Sequence, residues 1–419
     1  MSQLPTLYSL TRDGQIQQWT VSTSKDIVIT EHGMLCGKQI KHMDRVRSTN
    51  VGRANQRVGE TQAEAEAKSA WDKKRKTGYF ETIEEARSTT VYLPMLAHPL
   101  EKEILKANGE RVKSKIEIDW TRPGGVDIQR KYNGLRGLAV PGVFIGSKKP
   151  TVIRSREAEE WENLGHIEEH LGHLNEAAGD GNWVFDGEIY QHGVPLQTLN
   201  SLVKRKQDGT EQLKYYIYDM PSFHHWSWRR AQLETAYQRY AANRATSLGL
   251  LCGGDFVASL PLQLVPTSTV YSEEEARLVQ RMYVREGYEG AILRQKHLPY
   301  EFNFRCESII KLKDFIDANF EIVGVLSREL LEEGKEPVVI VDKFVFRNNL
   351  SDATFEAVPK GSMAQRAEWW EMKDEIIGRF GIVRFHERSV DGIPQNNPTV
   401  VAIRLDEDCG GGEGEEIWG

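Results

Sequence analysis

The chain has 419 residues, of which 39% are hydrophobic, and a formal net charge of -7. A domain usually takes about 100 to 200 residues, so we expect three domains. The four cysteines lie far apart without a CxxC pair, which excludes a disulfide framework and a zinc finger and fits a reducing compartment. Because no apolar run approaches about 18 residues, we expect a soluble cytoplasmic protein without membrane contact.

Residues 1–90 are predicted to form a small β-rich α+β module. The opening "TLYSLTRDGQIQQWTVS" has a polar turn at 12–14 between two alternating runs, which indicates a β-hairpin. The following "GETQAEAEAKSAWDKKRKTGYF" indicates a helix with Thr61 as N-cap, Glu64 completing a capping box, and Gly78 as the stop. Its apolar stripe is formed by Ala63, Ala67 and Trp71.

Charge is unevenly distributed along the chain. Residues 38–80 contain 11 Lys plus Arg against 5 Asp plus Glu, whereas residues 405–419 contain six acids and no base. The basic helix end "DKKRKTG" either contacts a phosphate backbone, as Arg45, Arg47, Arg53 and Arg57 before it favour, or complements the helix dipole. The stretches "NVGRANQ" and "KKRKTGYFE" resemble the WGR domain, with Val51 in place of its tryptophan. That resemblance implies a nucleic-acid-binding module.

Residues 91–314 mix short strands with amphipathic helices. In "SEEEARLVQRMYVREG", Ser272 and Glu275 indicate a capping box and Gly287 a helix stop, with one apolar face formed by Ala276, Val279 and Met282. Residues 315–405 alternate short strands with Gly, Pro and Asn turns around one helix, which predicts a small β-barrel. Residues 406–419 are expected to be an acidic flexible tail.

Two strands of the middle segment carry paired charges. In "WVFDGEIY", Asp186 and Glu188 share one face, and in "SIIKLKDF", Lys311 and Lys313 do the same. Each pair alone is typical of a solvent-exposed sheet face. Together, two carboxylates and two lysines indicate a common cleft.

Five motifs in order resemble the covalent nucleotidyltransferases, and among them the ATP-dependent DNA ligases. They are "KYNGLR" (131–136), "DGE" (186–188), "YIYD" (216–219), "EGAILR" (289–294) and "KLK" (311–313), supported by "SR" (155–156) and "DANFEIVGV" (317–325). The resemblance covers about residues 92–314. It implies an ATP-grasp-like nucleotidyltransferase domain with antiparallel sheets, followed by a C-terminal OB-fold.

The resemblance also implies roles for the site residues. Lys131 would attack the α-phosphate of ATP as a neutral amine, although at a reference pKa of about 10.4 only about 0.04% of a lysine is neutral at pH 7. Its pKa must therefore be lowered by burial or by nearby cations. Lys311 and Lys313 would contact the α-phosphate. Glu289 would bind a metal, and Glu188 would bind a metal or the ribose. Arg136 would contact the ribose or the nick phosphate, Tyr218 and Gln129 the adenine, and Arg156 and Arg294 the nucleotide.

The leading hypothesis is a monomeric ligase that seals nicks in double-stranded DNA with ATP and Mg²⁺, which Mn²⁺ can replace, in a phage-infected or bacterial cytoplasm. Asn133 departs from the usual Lys-x-Asp-Gly and removes one charge. An RNA ligase and a non-catalytic nucleic-acid-binding protein remain alternatives. A capping enzyme, an NAD-dependent ligase and a (β/α)₈ Schiff-base enzyme fit the motifs and the strand pattern less well.

Overall fold

The computed structural model describes residues 2–50, 52–105, 111–179, 182–389, 391–395, 397–404 and 417–418. The chain divides into two compact units, Thr90–Lys313 and the combination of Met1–Thr89 with Asp314–Gly419. Each unit has hydrophobic cores of its own. Within the described parts of the chain, no helix is both long enough and apolar enough to cross a membrane.

The N-terminal segment is an antiparallel sheet with a helix packed on it. Its strands are β1 (Ser2–Gln3), β2 (Leu7–Leu10), β3 (Ile16–Ser24), β4 (Ile27–Met34) and β5 (Gln39–Arg45), and its helices are α1 (Gly59–Lys76) and α2 (Ile83–Ser88). The sheet order is β1-β3-β4-β5, with β2 also on β3. The predicted hairpin is confirmed, because β2 and β3 pair around a turn in which Gly14 has a φ of 75°.

The predicted start of α1 was wrong. The helix begins at Gly59 with Val58 as N-cap, and the Thr61 hydroxyl donates to the Val58 carbonyl instead of capping. Gly59 has a φ of 50°, a conformation that glycine adopts readily, so the chain turns into the helix before Thr61. The stop at Gly78 and the burial of Ala63 and Ala67 are confirmed.

The middle unit contains two five-stranded sheets. Its strands are β6 (Leu96–Pro99), β7 (Glu101–Leu105), β8 (Arg111–Lys115), β9 (Val126–Lys131), β10 (Leu135–Pro141), β11 (Thr151–Arg154), β12 (Phe185–Tyr190), β13 (Lys214–Asp219), β14 (Leu262–Leu264), β15 (Thr267–Val270), β16 (Gly290–Arg294) and β17 (Arg305–Leu312). Its helices are α3 (Gly165–Ala178), α4 (Leu196–Lys204), α5 (Trp226–Ser247), α6 (Gly254–Ser259) and α7 (Glu273–Arg285). The orders are β11-β10-β12-β13-β14 and β15-β9-β16-β17-β6.

These sheets are mixed, not purely antiparallel as we predicted. β14 is parallel to β13, and β6 is parallel to β17. The chain leaves β13 and returns to β14 through α5 and α6. A helical crossover of this kind brings the chain back to the same end of the sheet, which allows parallel pairing.

Helix α7 has the Ser272 half of the predicted capping box and the predicted stop. The Ser272 hydroxyl accepts from the Glu275 amide, and Gly287 follows the helix with a φ of 90°. The Glu275 carboxylate accepts from the Tyr271 amide instead of the Ser272 amide. Met282, however, is 51% exposed, and Tyr283 occupies the core at that turn. Starting from the buried Ala276, a period of 3.6 reaches Tyr283 after two turns, whereas Met282 falls outside the buried face.

The C-terminal segment packs a six-stranded sheet around a phenylalanine-rich core and also contains a separate two-stranded sheet. Its strands are β18 (Ile316–Leu330), β19 (Val338–Arg347), β20 (Thr354–Pro359), β21 (Phe380–Phe385), β22 (Glu387–Arg388), β23 (Pro394–Gln395), β24 (Thr399–Arg404) and β25 (Ile417–Trp418), and its helices are α8 (Met363–Glu371) and α9 (Lys373–Ile376). The order is β19-β20-β24-β21-β18-β25, with an additional β18–β19 pairing. Of the expected flexible tail, residues 406–416 and Gly419 lie outside the described residues, while β25 pairs with β18.

Candidate active site

Lys131 is the last residue of β9 and lies opposite the start of β16. It pairs with Gly290, so Glu289 is placed directly beside it, and the Glu289 amide donates to the Lys131 carbonyl at 2.9 Å. The Lys131 ammonium donates to one oxygen of the Glu289 carboxylate, and Lys313 Nζ donates to the other at 2.9 Å. Sheet pairing therefore brings together three charges that are up to 182 positions apart in the chain.

Glu289 is ionised within this arrangement. Its side chain is 14% exposed, and burial alone would raise its pKa. The charges of Lys131 and Lys313, together with their hydrogen bonds, outweigh burial and lower the pKa of Glu289 below its usual value. A carboxylate is thus held between two cations at neutral pH.

Glu188 approaches the same point from the other sheet. Burial raises its pKa to about 7, although the charges of Lys131 and Arg136 act to lower it. Tyr218 Oη donates to its carboxylate at 3.5 Å. The charges of Lys131 and Glu289 both act on the pKa of Glu188, so the two sheets of the middle unit meet around these groups.

Lys311 is the fifth charged residue of this site. We call the site the Lys131 cluster, and its members are Lys131, Glu188, Glu289, Lys311 and Lys313. Lys311 lies on β17 and pairs with Ile292 of β16. Burial, followed by repulsion from Lys313 and Lys131, lowers its pKa to about 8. Three amines and two carboxylates that we singled out in the sequence are thereby brought together.

Arg136 is held in a buried ion pair. It donates to Asp186 through Nε at 3.0 Å and Nη2 at 2.6 Å, and Tyr300 Oη donates to the same carboxylate at 2.7 Å. Asp186 is fully buried against Arg136, so of the two carboxylates that we expected to line a common cleft with the lysines, Glu188 alone joins the Lys131 cluster. The predicted contact of Arg136 with ribose or the nick phosphate stays a prediction.

Gln129 and Arg294 are joined to each other in the interior. Arg294 Nε donates to Gln129 Oε1 at 3.1 Å, and Gln129 Nε2 donates to Thr267 Oγ1 at 2.9 Å. Arg294 also donates to Asp219 at 2.9 Å, and both Gln129 and Arg294 are 1% exposed. These bonds fix the orientation of the Gln129 amide, while direct contact of either residue with a nucleotide stays a prediction.

Tyr218 and Arg156 have different surroundings. The guanidinium carbons of Arg294 and Arg136 lie 5.3 and 5.8 Å from the Tyr218 ring centroid. Arg156 lies in an exposed turn, ordered locally by Ser155, whose hydroxyl accepts from two backbone amides. Among the contacts described for this turn, none joins Arg156 to the Lys131 cluster, so its role in binding nucleotide stays a prediction.

Sequence reasoning missed two groups that support the site. Asp219 and Arg229 form a buried ion pair, and Arg294 donates to the same Asp219 carboxylate. The sequence analysis included Asp219 in a motif but gave it no role. The Tyr132 ring packs on those of Tyr216, Tyr190 and Tyr288, with centroids 4.7, 5.0 and 5.3 Å away. The abundance of tyrosine around the motifs was the available signal for this packing. This packing anchors Tyr132, the residue that follows Lys131.

The glycine of "KYNG" is required by close packing. A Cβ at Gly134 would lie 2.5 Å from the Ile189 carbonyl oxygen and 2.8 Å from Glu188 Cγ. We expect Gly134→Ala to push the chain away from β12 and displace Lys131. The lysyl-AMP formation that the motif resemblance implies should then fall by about 10²-fold, as misplacement by about 1 Å can do. Gly172→Ala, where a Cβ meets nothing within 4 Å, is the control and should leave the rate unchanged. Equal rates for both variants would refute the packing argument.

The two sheets bring one strand-end lysine, two carboxylates and two further lysines together, as the motif resemblance to the covalent nucleotidyltransferases implies. Residues 94–313 match the family model "ATP dependent DNA ligase domain", and the chain belongs to this family. The model covers more than half of the chain and ends at Lys313, the last residue of the Lys131 cluster.

Similar proteins agree with this assignment. The chain is 29% identical over 199 residues to a DNA ligase of African swine fever virus (isolate Warthog/Namibia/Wart80/1980), which covers 47% of this chain and 43% of the relative. Solved structures named "Pmar-Lig_Pre." and "Pmar-Lig_PreS3" share the fold with a TM-score of 0.54 at 19% identity. They cover 75% and 74% of this chain and 67% of each of theirs. The chain thus spans less than half the length of the curated relatives it matches.

Proposed function

We propose that this protein is an ATP-dependent DNA ligase that seals nicks in duplex DNA through a covalent lysyl-AMP. The observation that carries the proposal is the position of Lys131, whose amine lies against Glu289 with Lys313 on the other carboxylate oxygen. A nucleophilic amine surrounded by cations suits attack on a phosphate, because those cations stabilise charge that gathers on phosphoryl oxygens. The family to which the chain belongs supports ATP as the substrate.

The proposed reaction has three transfers. The neutral Lys131 amine attacks the α-phosphorus of ATP, a P–N bond forms, the bond to the β-phosphate oxygen breaks, and pyrophosphate leaves as the amine loses a proton. The 5′-phosphate of the nick then attacks the same phosphorus, and Lys131 leaves with a proton. The 3′-hydroxyl finally attacks the activated 5′-phosphate, loses its proton, and AMP departs. Lys311 and Lys313 are the proposed contacts for the phosphates in these steps.

The carboxylates of the cluster fit a divalent metal. Mg²⁺ is commonly bound by one or two carboxylates together with phosphate oxygens of the substrate. Glu188 and Glu289 provide two carboxylates, and the charge of Glu289 is close enough to act on Glu188 and raise its pKa. The described residues contain no group of three or more His, Cys, Asp or Glu side chains that could hold a metal ion. When bound, Mg²⁺ or Mn²⁺ would neutralise charge on the phosphates. Glu188 and Glu289 are the residues that would hold it.

The pH dependence of lysyl-AMP formation follows from two shifted groups. Glu188 has a pKa raised to about 7, so its ligating carboxylate becomes available as the pH rises through that value. Lys311 has a pKa lowered to about 8, so its positive charge is lost above that value. We expect kcat/KM for lysyl-AMP formation to rise through about pH 7 and fall through about pH 8, since this parameter reports the free enzyme.

Lys311→Arg tests the alkaline limb. Arginine stays protonated throughout this range, so the limb should move to higher pH even if the maximal rate falls. Single-turnover labelling measured from pH 6 to 10 gives the profile. An alkaline limb that stays near pH 8 in this variant would show that another group causes it.

The flanking segments extend the proposal. We propose that residues 315–405 form an OB-fold barrel, since the pairings run from β18 through β19, β20, β24 and β21 back to β18. We also propose that residues 1–90 form a WGR-like module that binds nucleic acid, that residues 91–314 are the nucleotidyltransferase domain, and that the protein acts as a cytoplasmic monomer.

Transfer of labelled AMP from ATP to the protein and then to DNA tests the proposed ligase function. The protein is incubated with ATP labelled at the α-phosphate and Mg²⁺, and the denatured chain is examined for retained label. We expect label that nicked duplex DNA discharges, with a sealed strand as product. Discharge by nicked RNA alone would identify an RNA ligase. Absence of label on the folded protein would overturn the proposal and favour a non-catalytic nucleic-acid-binding protein.

A further inference from the structure

The basic residues of β5 contact the long hairpin of the C-terminal segment. β5 is an edge strand of the N-terminal sheet, and it belongs to the same compact unit as β18 and β19. Lys41 Nζ donates to Glu333 at 2.8 Å, and Arg45 Nη1 donates to Glu329 at 2.5 Å. Opposite charges therefore meet between segments that are almost 300 residues apart.

A backbone contact fixes the alignment of these pairs. Met43 and Leu331 form an antiparallel bridge, and the Arg47 guanidinium donates to the Ser327 carbonyl. The contacts thus run in antiparallel order along both strands, at every second residue. They join Lys41 with Glu333, Met43 with Leu331, Arg45 with Glu329, and Arg47 with Ser327.

Both sequences carry the corresponding period of two. In "KHMDRVR", residues 41, 43, 45 and 47 share one face of an extended strand, and in "SRELLEE", residues 327, 329, 331 and 333 do the same. One face presents three cations around a methionine, and the other presents two carboxylates around a leucine. Opposite charges on facing strands stabilise their pairing, and the Met43–Leu331 bridge covers part of an otherwise open edge strand.

These cations are also neutralised within their own sheet. Arg45 Nε lies 3.3 Å from Asp26, and Lys41 Nζ lies 3.8 Å from Glu31. Lys41 and Arg45 therefore each have one carboxylate from the N-terminal segment and one from the hairpin, whereas Arg47 donates to the Ser327 carbonyl. This environment favours a protein contact over a phosphate contact, which changes our expectation for Arg45 and Arg47. Arg53 and Arg57 are exposed and are not part of the ladder.

We propose that β5 docks on the end of β18 as a charge-matched added strand, so that residues 1–89 and the C-terminal segment move as one rigid body. Lys41, Arg45 and Arg47 serve this docking. The N-terminal module is then a fixed extension of the C-terminal domain and not a separately tethered nucleic-acid-binding unit. If the C-terminal domain moves during a reaction, the N-terminal module moves together with it.

A spin-label distance measures this docking in the full-length protein. One label is placed on Cys36, which is exposed between β4 and β5, and the other on Asp352→Cys, in the exposed loop between β19 and β20. Cys252→Ser and Cys409→Ser remove other thiols, and Cys306 is buried. We expect a single narrow distance distribution. A broad distribution in this parent protein would overturn the proposal.

Reversing and then restoring the charges tests whether the opposite charges hold β5 against the hairpin. Glu329→Lys with Glu333→Lys should broaden the distribution, because cations then face cations. Adding Lys41→Glu and Arg45→Glu restores opposite charges towards the hairpin, and Asp26→Lys and Glu31→Lys keep the new carboxylates from facing carboxylates of their own segment. This sixfold variant should narrow the distribution again. An unchanged distribution after reversal, or no recovery in the sixfold variant, would refute the charge-matched contact.

Lys131 labelling with ATP provides an independent readout. None of the exchanged residues belongs to the Lys131 cluster, so label should form equally in every variant. Loss of label in all proteins would count against the proposed ligase function and leave the docking result standing. A broad spin-label distance distribution in a parent protein that still forms the ATP-derived label on Lys131 would count against the docking alone.

Discussion

Lys131→Ala is expected to abolish formation of the lysyl-AMP and to reduce nick sealing by at least about 10³-fold, since removal of a nucleophile removes the covalent route itself. Alanine offers no amine for the P–N bond. Glu289 retains its contact with Lys313, so the fold around the site should persist. The measurement is retention of α-labelled phosphate on the denatured chain, together with sealing of a nicked duplex and a thermal unfolding curve.

Lys149→Ala is the matched control. Lys149 is an exposed lysine of the same unit that pairs with Glu160 and Glu168, away from the Lys131 cluster. Its loss should leave labelling intact. If Lys131→Ala kept its label, peptide mapping would locate the true acceptor, with neighbouring Lys313 and Lys311 as the first positions to examine. That result would refute Lys131 as the nucleophile.

Asp219→Ala should destabilise the middle unit by about 3 to 5 kcal/mol, the usual cost of removing one partner from a buried ion pair. Asp219 is fully buried and accepts from Arg229 at 2.8 and 3.1 Å and from Arg294 at 2.9 Å. Burial alone would raise its pKa, but the two arginines lower it below the usual range. Without Asp219, two buried guanidinium groups lose their shared counter-ion.

Hydrogen exchange of the β13 and β16 amides measures this loss, because it reports the opening free energy of the affected strands. Glu211→Ala is the control, since Glu211 and its partner Lys206 are 71% and 70% exposed. Its loss should cost less than about 1 kcal/mol, as is usual for exposed pairs. Similar protection in both variants would contradict a structural role for the buried charges.

The sequence determined the elements that rest on neighbouring residues. The β2–β3 turn, the Ser272 cap of α7 and the stop at Gly78 were predictable, because each depends on backbone conformations and hydrogen bonds within a few residues. The order of the five motifs likewise identified Lys131 and Glu289 as members of one site. Local exceptions arose where a neighbour changed the geometry, as Gly59 did for the start of α1.

Only the tertiary structure decided how charges are paired. Strand alternation alone does not distinguish the Asp186 carboxylate, which binds Arg136 in the interior, from the Glu188 carboxylate, which joins the Lys131 cluster. Nor does it show that Arg45 faces Glu329. A side chain's nearest residues in the chain fix its local conformation, but its partner is chosen by strand pairings across large separations. Among the many opposite charges in this chain, only the register of the sheets selects which ones meet.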